Sequence, residues 1–193
     1  MRVLAFSGWA QSADALKDVL PDGAHSFDYG AFPTVVTCFD ALRSEKPDVV
    51  IGWSLGGQVA LRAITDGVIS PRKIILLSTH YQAAKSEEIQ DAAPPESLVK
   101  LLDDYIADRA AMLKPFYLTC AYGDSAQRAV MKGMQAASAE GENWLYWLEE
   151  LVAFSCETLD YDKIPPATLI YGEADCIVPV SQAHRFAAKL NEV

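Results

Sequence analysis

Asp48-Val49-Val50-Ile51-Gly52-Trp53-Ser54-Leu55-Gly56-Gly57 joins an apolar, β-branched run to a stretch with helical spacing through the motif Gly-x-Ser-x-Gly. The strand before the motif and the helix after it give the motif its meaning. A serine at this turn is held on a sharp, strained bend, and its hydroxyl projects above the ends of the strands. Side chains at 52 and 56 would collide with the neighbouring strand and helix, so both positions call for glycine. The helix directs its N-terminal amides and the positive end of its dipole at the same point. Ser54 is therefore the candidate nucleophile, and the backbone N–H of Leu55 is one donor for a tetrahedral oxyanion.

Working outward, the texture on either side is that of a parallel sheet. Residues 2–7, 25–29, 48–53 and 73–79 are short apolar runs, the third entered from Lys46-Pro47. Residues 12–20, 35–45 and 55–66, which separate them, have helical spacing. Near-continuous apolar strands alternating with helices predict a parallel sheet covered on both faces. The first run ends at Ser7-Gly8-Trp9. Gly8 lets the backbone approach the serine, and the Trp9 N–H is the candidate second oxyanion donor, its ring covering the pocket.

From His80 to Lys163 the chain turns polar and rich in helix formers and aromatics. Helices are predicted over 95–112, 125–139 and 142–154, with Asp124 as N-cap of the second and Gly141 separating the second from the third. Pro165-Pro166 ends this stretch, residues 167–172 return to strand texture, and 180–190 read as one more amphipathic helix. Residues 1–79 and 164–193 thus form the expected core, and 80–163 an inserted helical lid. An insertion that long inside one domain usually covers something.

A serine on this kind of turn needs an acid and a histidine, which follow it in that order. The acid belongs after the strand that resumes beyond the insertion, in Tyr171-Gly172-Glu173-Ala174-Asp175-Cys176. Asp175 is the candidate and Glu173 the weaker alternative. Its role is to orient the imidazole and stabilise the imidazolium. None of the three histidines fits the expected place. His25 precedes the turn, His80 follows the fourth strand and could line the pocket mouth, and His184 falls inside the last helix. The final strand and its loop are expected to be absent from this chain, with Leu190-Asn191-Glu192-Val193 reading as its beginning, and the base is expected C-terminal to Val193.

Composition narrows the partners. Sixteen basic and 26 acidic residues give a net charge of -10, which argues against nucleic acid and anionic membrane. No apolar run approaches the ~20 residues of a membrane span. Cys38, Cys120, Cys156 and Cys176 form no metal-spaced pair and are expected to be reduced thiols in a cytoplasmic protein. No metal and no cofactor is implied, and a monomer is expected.

Phe6-Ser7-Gly8-Trp9, Gly52-Trp53-Ser54-Leu55-Gly56-Gly57 and Tyr171-Gly172-Glu173-Ala174-Asp175-Cys176-Ile177-Val178-Pro179 resemble the α/β-hydrolase superfamily along essentially the whole chain. Within it the elbow, the Gly-Trp loop and the lid layout are most similar to the pimeloyl-[acyl-carrier protein] methyl ester carboxylesterases of biotin synthesis. The resemblance implies an α/β-hydrolase fold with a mostly parallel sheet, helices on both faces and a helical lid. It implies a serine carboxylesterase acting through an acyl-enzyme on a small-molecule or carrier-protein-linked ester. It also implies that Trp9 and the segment Phe116-Tyr117-Leu118-Thr119-Cys120 touch the acyl chain, and that Arg128 and Lys132, four apart on one helical face, meet the carrier protein. A solvated helix face is an equal reading of that pair. Residues 80–163 hold 7 basic and 15 acidic residues, which weighs against an acidic partner. Trp144 and Trp147, three apart, read as lid core rather than pocket. Two other functions remain open: a non-catalytic ligand-binding protein on the same scaffold, and another chemistry of the fold such as acyl transfer or C–C bond hydrolysis.

Overall fold

A computed structural model describes residues 1–191. Five strands form one parallel sheet: β1 (Val3–Phe6), β2 (His25–Ser26), β3 (Val49–Trp53), β4 (Lys73–Leu77) and β5 (Ala167–Ile170), in the order β2-β1-β3-β4-β5. The register pairs Phe6 with Gly52, Gly52 with Leu76 and Leu77 with Ile170, so the carboxyl ends of β1, β3, β4 and β5 finish side by side. That row of strand ends positions everything described below.

The alternation of side chains across a strand divides the interior in two. Leu4, Phe6, Val50, Ile74 and Leu76 point into the larger core, which also takes in α1 (Val35–Leu42) and α2 (Leu55–Thr65). Val3, Ala5 and Ile51 point the other way, into a smaller core closed by Leu16 from a single 3-10 turn, Ala13–Leu16. The helix expected over 12–20 is only that turn. The strand expected over 25–29 is likewise reduced to the two residues of β2.

Four helices intervene between β4 and β5: α3 (Pro95–Ala107), α4 (Arg109–Cys120), α5 (Gln127–Ala136) and α6 (Trp144–Ala153). The single helix expected over 95–112 breaks at Asp108. There the backbone turns extended (φ -158°) and the Asp108 carboxylate caps α4 by accepting from the Ala111 N–H at 2.9 Å. α5 starts two residues later than expected. Asp124 accepts from the Ala126 N–H at 2.6 Å, in the turn ahead of the helix, rather than serving as its N-cap. α6 anchors these four helices to the sheet side of the molecule. Trp144 and Trp147 are buried against Tyr29, and Arg62 of α2 meets Glu150 of α6 at 2.6 Å.

The chain closes with α7 (Val180–Asn191), fastened by the buried Gln182, whose amide bonds Tyr81, Gln82 and Asp91. The strand expected to begin at Leu190-Asn191-Glu192-Val193 falls partly on residues 192–193, outside the described residues. α7 occupies Leu190 and Asn191.

Candidate active site

The elbow is built as its glycines require. Ser54 has φ 52° and ψ -123°, a region that side chains rarely enter and that costs on the order of 1–3 kcal/mol. It is held there by its N–H donating to the Leu77 carbonyl at 2.9 Å and by its own carbonyl accepting from Gly57 at 3.0 Å. A Cβ on Gly56 would lie 2.3 Å from the Ser7 carbonyl oxygen, and one on Gly52 would lie 2.5 Å from the Gly57 Cα. A Cβ on Gly57 would meet Thr79 Oγ1 at 2.0 Å. Bare glycine at these positions lets α2 lie directly on the ends of β1 and β3, which lifts Ser54 above the sheet.

Ser54 opens onto a cavity of about 550 Å³ at the strand ends. Trp9, Phe116, Cys120 and Asp175 share it with Ser54, and so does His80. Leu98 of α3, Met134 of α5 and Leu148 and Leu151 of α6 complete a largely apolar wall. Trp9 is pinned there: its Nε1 donates to the Trp144 carbonyl at 2.8 Å, and its ring meets Tyr105 and Phe116. Leu55 opens α2, directly after Ser54, so its N–H has no intrahelical partner.

The segment 116–120 forms the last turns of α4, and helical periodicity divides it. Phe116 and Cys120, four apart, face the cavity. Tyr117 is buried elsewhere, its hydroxyl bonding Ser138 and Gln11; Leu118 is exposed; Thr119 turns its hydroxyl back to the Pro115 carbonyl. Arg128 and Lys132 are exposed on α5, whose Val130 and Met134 line the cavity.

Asp175 stands beyond β5 at the cavity, whereas Glu173 is exposed and outside it. Asp175 Oδ1 accepts from the amides of Ile177 and Val178, each at 2.9 Å. The neighbouring Cys176 thiol donates to the Thr119 carbonyl at 3.2 Å and ties this loop to α4. Burial, with the Asp175 and Cys176 charges behind it, pushes the Cys120 thiol up to about 12. It is a packed thiol at neutral pH, and all four cysteines are unpaired.

The histidines divide clearly. His25 is exposed on β2, at the amino end of the sheet, and His184 is exposed on α7. His80 is the one that reaches the cavity. Burial pulls its imidazole down to about 4, against the opposing pull of the Asp175 carboxylate. Sequence order argues against His80 as the base but allows it to line the pocket mouth, and it does line the cavity. What brings it to Ser54 is the parallel pairing of β3 with β4, which no local pattern records. Among the described residues no group of three or more His, Cys, Asp or Glu could hold a metal ion, and no helix is long and apolar enough to cross a membrane.

The sequence profile of the alpha/beta hydrolase family matches residues 4–192, and the chain belongs to that family. It is 32% identical over 207 residues to a pimeloyl-[acyl-carrier protein] methyl ester esterase of Aromatoleum aromaticum, spanning 95% of this chain and 83% of that protein. It is 24% identical to the biotin biosynthesis bifunctional protein BioHC of Cellvibrio japonicus, over 91% of this chain and 37% of that longer one. Among solved structures, an esterase from Exiguobacterium antarcticum superposes with a TM-score of 0.75 at 15% identity, covering 98% of this chain and 80% of that one. BioG from Haemophilus influenzae does so with a TM-score of 0.67 at 16% identity, covering 97% and 82%. These structural likenesses speak to the fold.

Proposed function

We propose that the protein is a serine carboxylesterase that cleaves its ester through an acyl-enzyme on Ser54. The observation that carries this reading is the placement of Ser54. A strained, positive-φ serine at the head of α2 opens onto an apolar cavity that Asp175 also lines. Ser54 Oγ attacks the ester carbonyl carbon, and the Leu55 and Trp9 amides receive the oxyanion. The alkoxide leaves with a proton, and water then hydrolyses the acyl-enzyme. A histidine oriented by Asp175 is the proton carrier of this scheme. Resemblance to the Aromatoleum esterase supports a substrate of the same kind, a methyl ester of an acyl chain borne on a carrier protein. The wall formed by Trp9, Phe116, Leu148 and Leu151 suits such a chain. Arg128 and Lys132 are the proposed carrier contacts. The four inserted helices serve as the lid, and the protein works as a cytoplasmic monomer.

The test is hydrolysis of a p-nitrophenyl ester series and of a carrier-linked pimeloyl methyl ester by wild type and Ser54→Ala. The expected result is turnover by wild type that Ser54→Ala reduces by at least about a thousandfold, the scale of losing a nucleophile. Equal rates for the two proteins would remove Ser54 from the chemistry. Ligand binding without turnover by either would favour a non-catalytic binding protein on this scaffold.

A further inference from the structure

His80 is a buried polar side chain facing the cavity with no use in the scheme above. It is 8% exposed, and its Nδ1 is sealed from solvent with no hydrogen-bond partner. Buried polar atoms almost always have partners, so an orphan beside a ligand cavity needs a reason.

The backbone around it is heavily restrained. The His80 carbonyl accepts from Gln58 Nε2 at 3.0 Å and from the Cys156 thiol at 3.6 Å. The next N–H, of Tyr81, donates to Gln182 Oε1 at 2.8 Å, and the preceding carbonyl, of Thr79, accepts from the Tyr171 hydroxyl at 2.6 Å. Two fully buried glutamines, a cysteine and a tyrosine thus fix the backbone at this one imidazole, while the ring itself is left uncommitted. That is how a group held ready for a ligand is built.

Sheet order says which part of a ligand it meets. The strand ends run from the Gly8-Trp9 loop of β1, through Ser54 of β3 and His80 of β4, to Asp175 beyond β5. The oxyanion amide of Trp9 lies on the β1 side of Ser54. An ester whose carbonyl oxygen points there directs its other substituents across Ser54 toward β4. The ring is neutral at pH 7, with one N–H and one lone pair to offer, which matches the hydrogen bonding of an uncharged ester. His80 Nδ1 has no hydrogen-bond partner, so Asp175 does not hold the ring as it would a relay base.

Resting on the esterase reading, we propose that His80 is a substrate-positioning residue, whose imidazole hydrogen-bonds a neutral ester oxygen on the side of Ser54 opposite the oxyanion amides.

Kinetics with p-nitrophenyl hexanoate and methyl hexanoate test this in wild type, His80→Phe and His80→Gln, with melting curves as the folding control. His80→Phe is expected to raise KM about tenfold, the worth of one hydrogen bond, with kcat within about threefold and the pH profile of kcat unmoved. His80→Gln, which keeps a donor and an acceptor, restores most of the loss. Unchanged KM in both variants overturns the proposal. So does a collapse of kcat in both variants with KM kept, since that is the signature of a base. A readout free of turnover separates this from the esterase reading. Histidine-labelled Ser54→Ala protein is titrated with methyl hexanoate and followed by ¹⁵N NMR. The His80 ring nitrogens are expected to shift while those of His25 and His184 stay. A still His80 overturns the proposal even if wild type is an esterase, and an inactive wild type with a moving His80 overturns only the esterase reading.

Discussion

Two glycines of this chain make opposite demands. Gly56 sits where α2 meets β1, and a methyl group there would press on the Ser7 and Phe6 carbonyls at 2.3 and 2.5 Å. Backbone cannot swing aside as a side chain can, so Gly56→Ala must push the helix off the strand end. We expect a loss of about 2–4 kcal/mol in urea unfolding, together with loss of whatever Ser54 does. Gly133 lies inside α5 with nothing within 4 Å of its added Cβ. Gly133→Ala is expected to stabilise by about 0.5–1 kcal/mol through helix propensity alone. His80 gives a residue-scale prediction for pH. Its folded value is about 4, below the ordinary 6.5. Below pH 6.5 the unfolded chain therefore binds a proton that the native state refuses, and stability falls as pH falls toward 4. Relative to His80→Phe, wild type is expected to lose about 2–3 kcal/mol between pH 7.5 and pH 4.5, measured as the change in their difference in unfolding free energy. An unchanged difference would mean that His80 is protonated as easily inside the protein as outside it.

At the scale of elements, what could be read in advance depended on whether the signal was local. The elbow was legible because its constraint is written into adjacent residues: a β-branched run, two glycines two apart from a serine, and a helix. The parallel sheet around it followed from alternating strand and helix texture, though not the order of its strands. The stretch between β4 and β5 was legible as helical but not in its joints. Asp108 resets the chain by capping α4, yet a single aspartate between two helical runs looks like an ordinary surface residue. Residues 113–120 are helical although Pro115, inside α4, removes a helix hydrogen bond and argues against a helix interior. The family resemblance implies that all of 116–120 touches the acyl chain, whereas a helix presents only Phe116 and Cys120 to the cavity. Amphipathic spacing at 12–20 suggested a helix that tertiary packing reduces to one turn. His80 was discounted as the base for its place in the chain order yet legible as a residue of the pocket mouth, and its neighbours are set by strand pairing across 26 residues from Ser54 to His80. Those contacts, like the Trp9–Trp144 bond, belong to the fold and leave no mark in any window of sequence.

For the whole molecule the dominant property is charge. The chain carries -10 overall, and residues 140–162, which include α6, hold seven acids and no base. Arg128 and Lys132 are a small basic feature on an acidic body, and a carrier protein is itself acidic. These two facts act over different distances. Repulsion between the two bodies is long-ranged and is screened as the Debye length falls from about 30 Å at 0.01 M salt to about 8 Å at 0.15 M. Attraction between two side chains and one phosphate or carboxylate acts at contact and survives more of that screening. The encounter with a carrier-linked ester should therefore speed up as salt is added over this range, seen as a rising kcat/KM, while a small uncharged ester changes little. Reversing both charges, Arg128→Glu with Lys132→Glu, should lower the ratio of carrier-linked to small-ester kcat/KM at either salt, by about tenfold or more for two lost charge-assisted contacts. A kcat/KM that falls steeply with salt would instead put a larger attractive patch at the interface than this acidic surface offers. A ratio indifferent to both reversals would return Arg128 and Lys132 to the solvated face of α5, and leave the cavity to select its ester by shape and by the groups that line it.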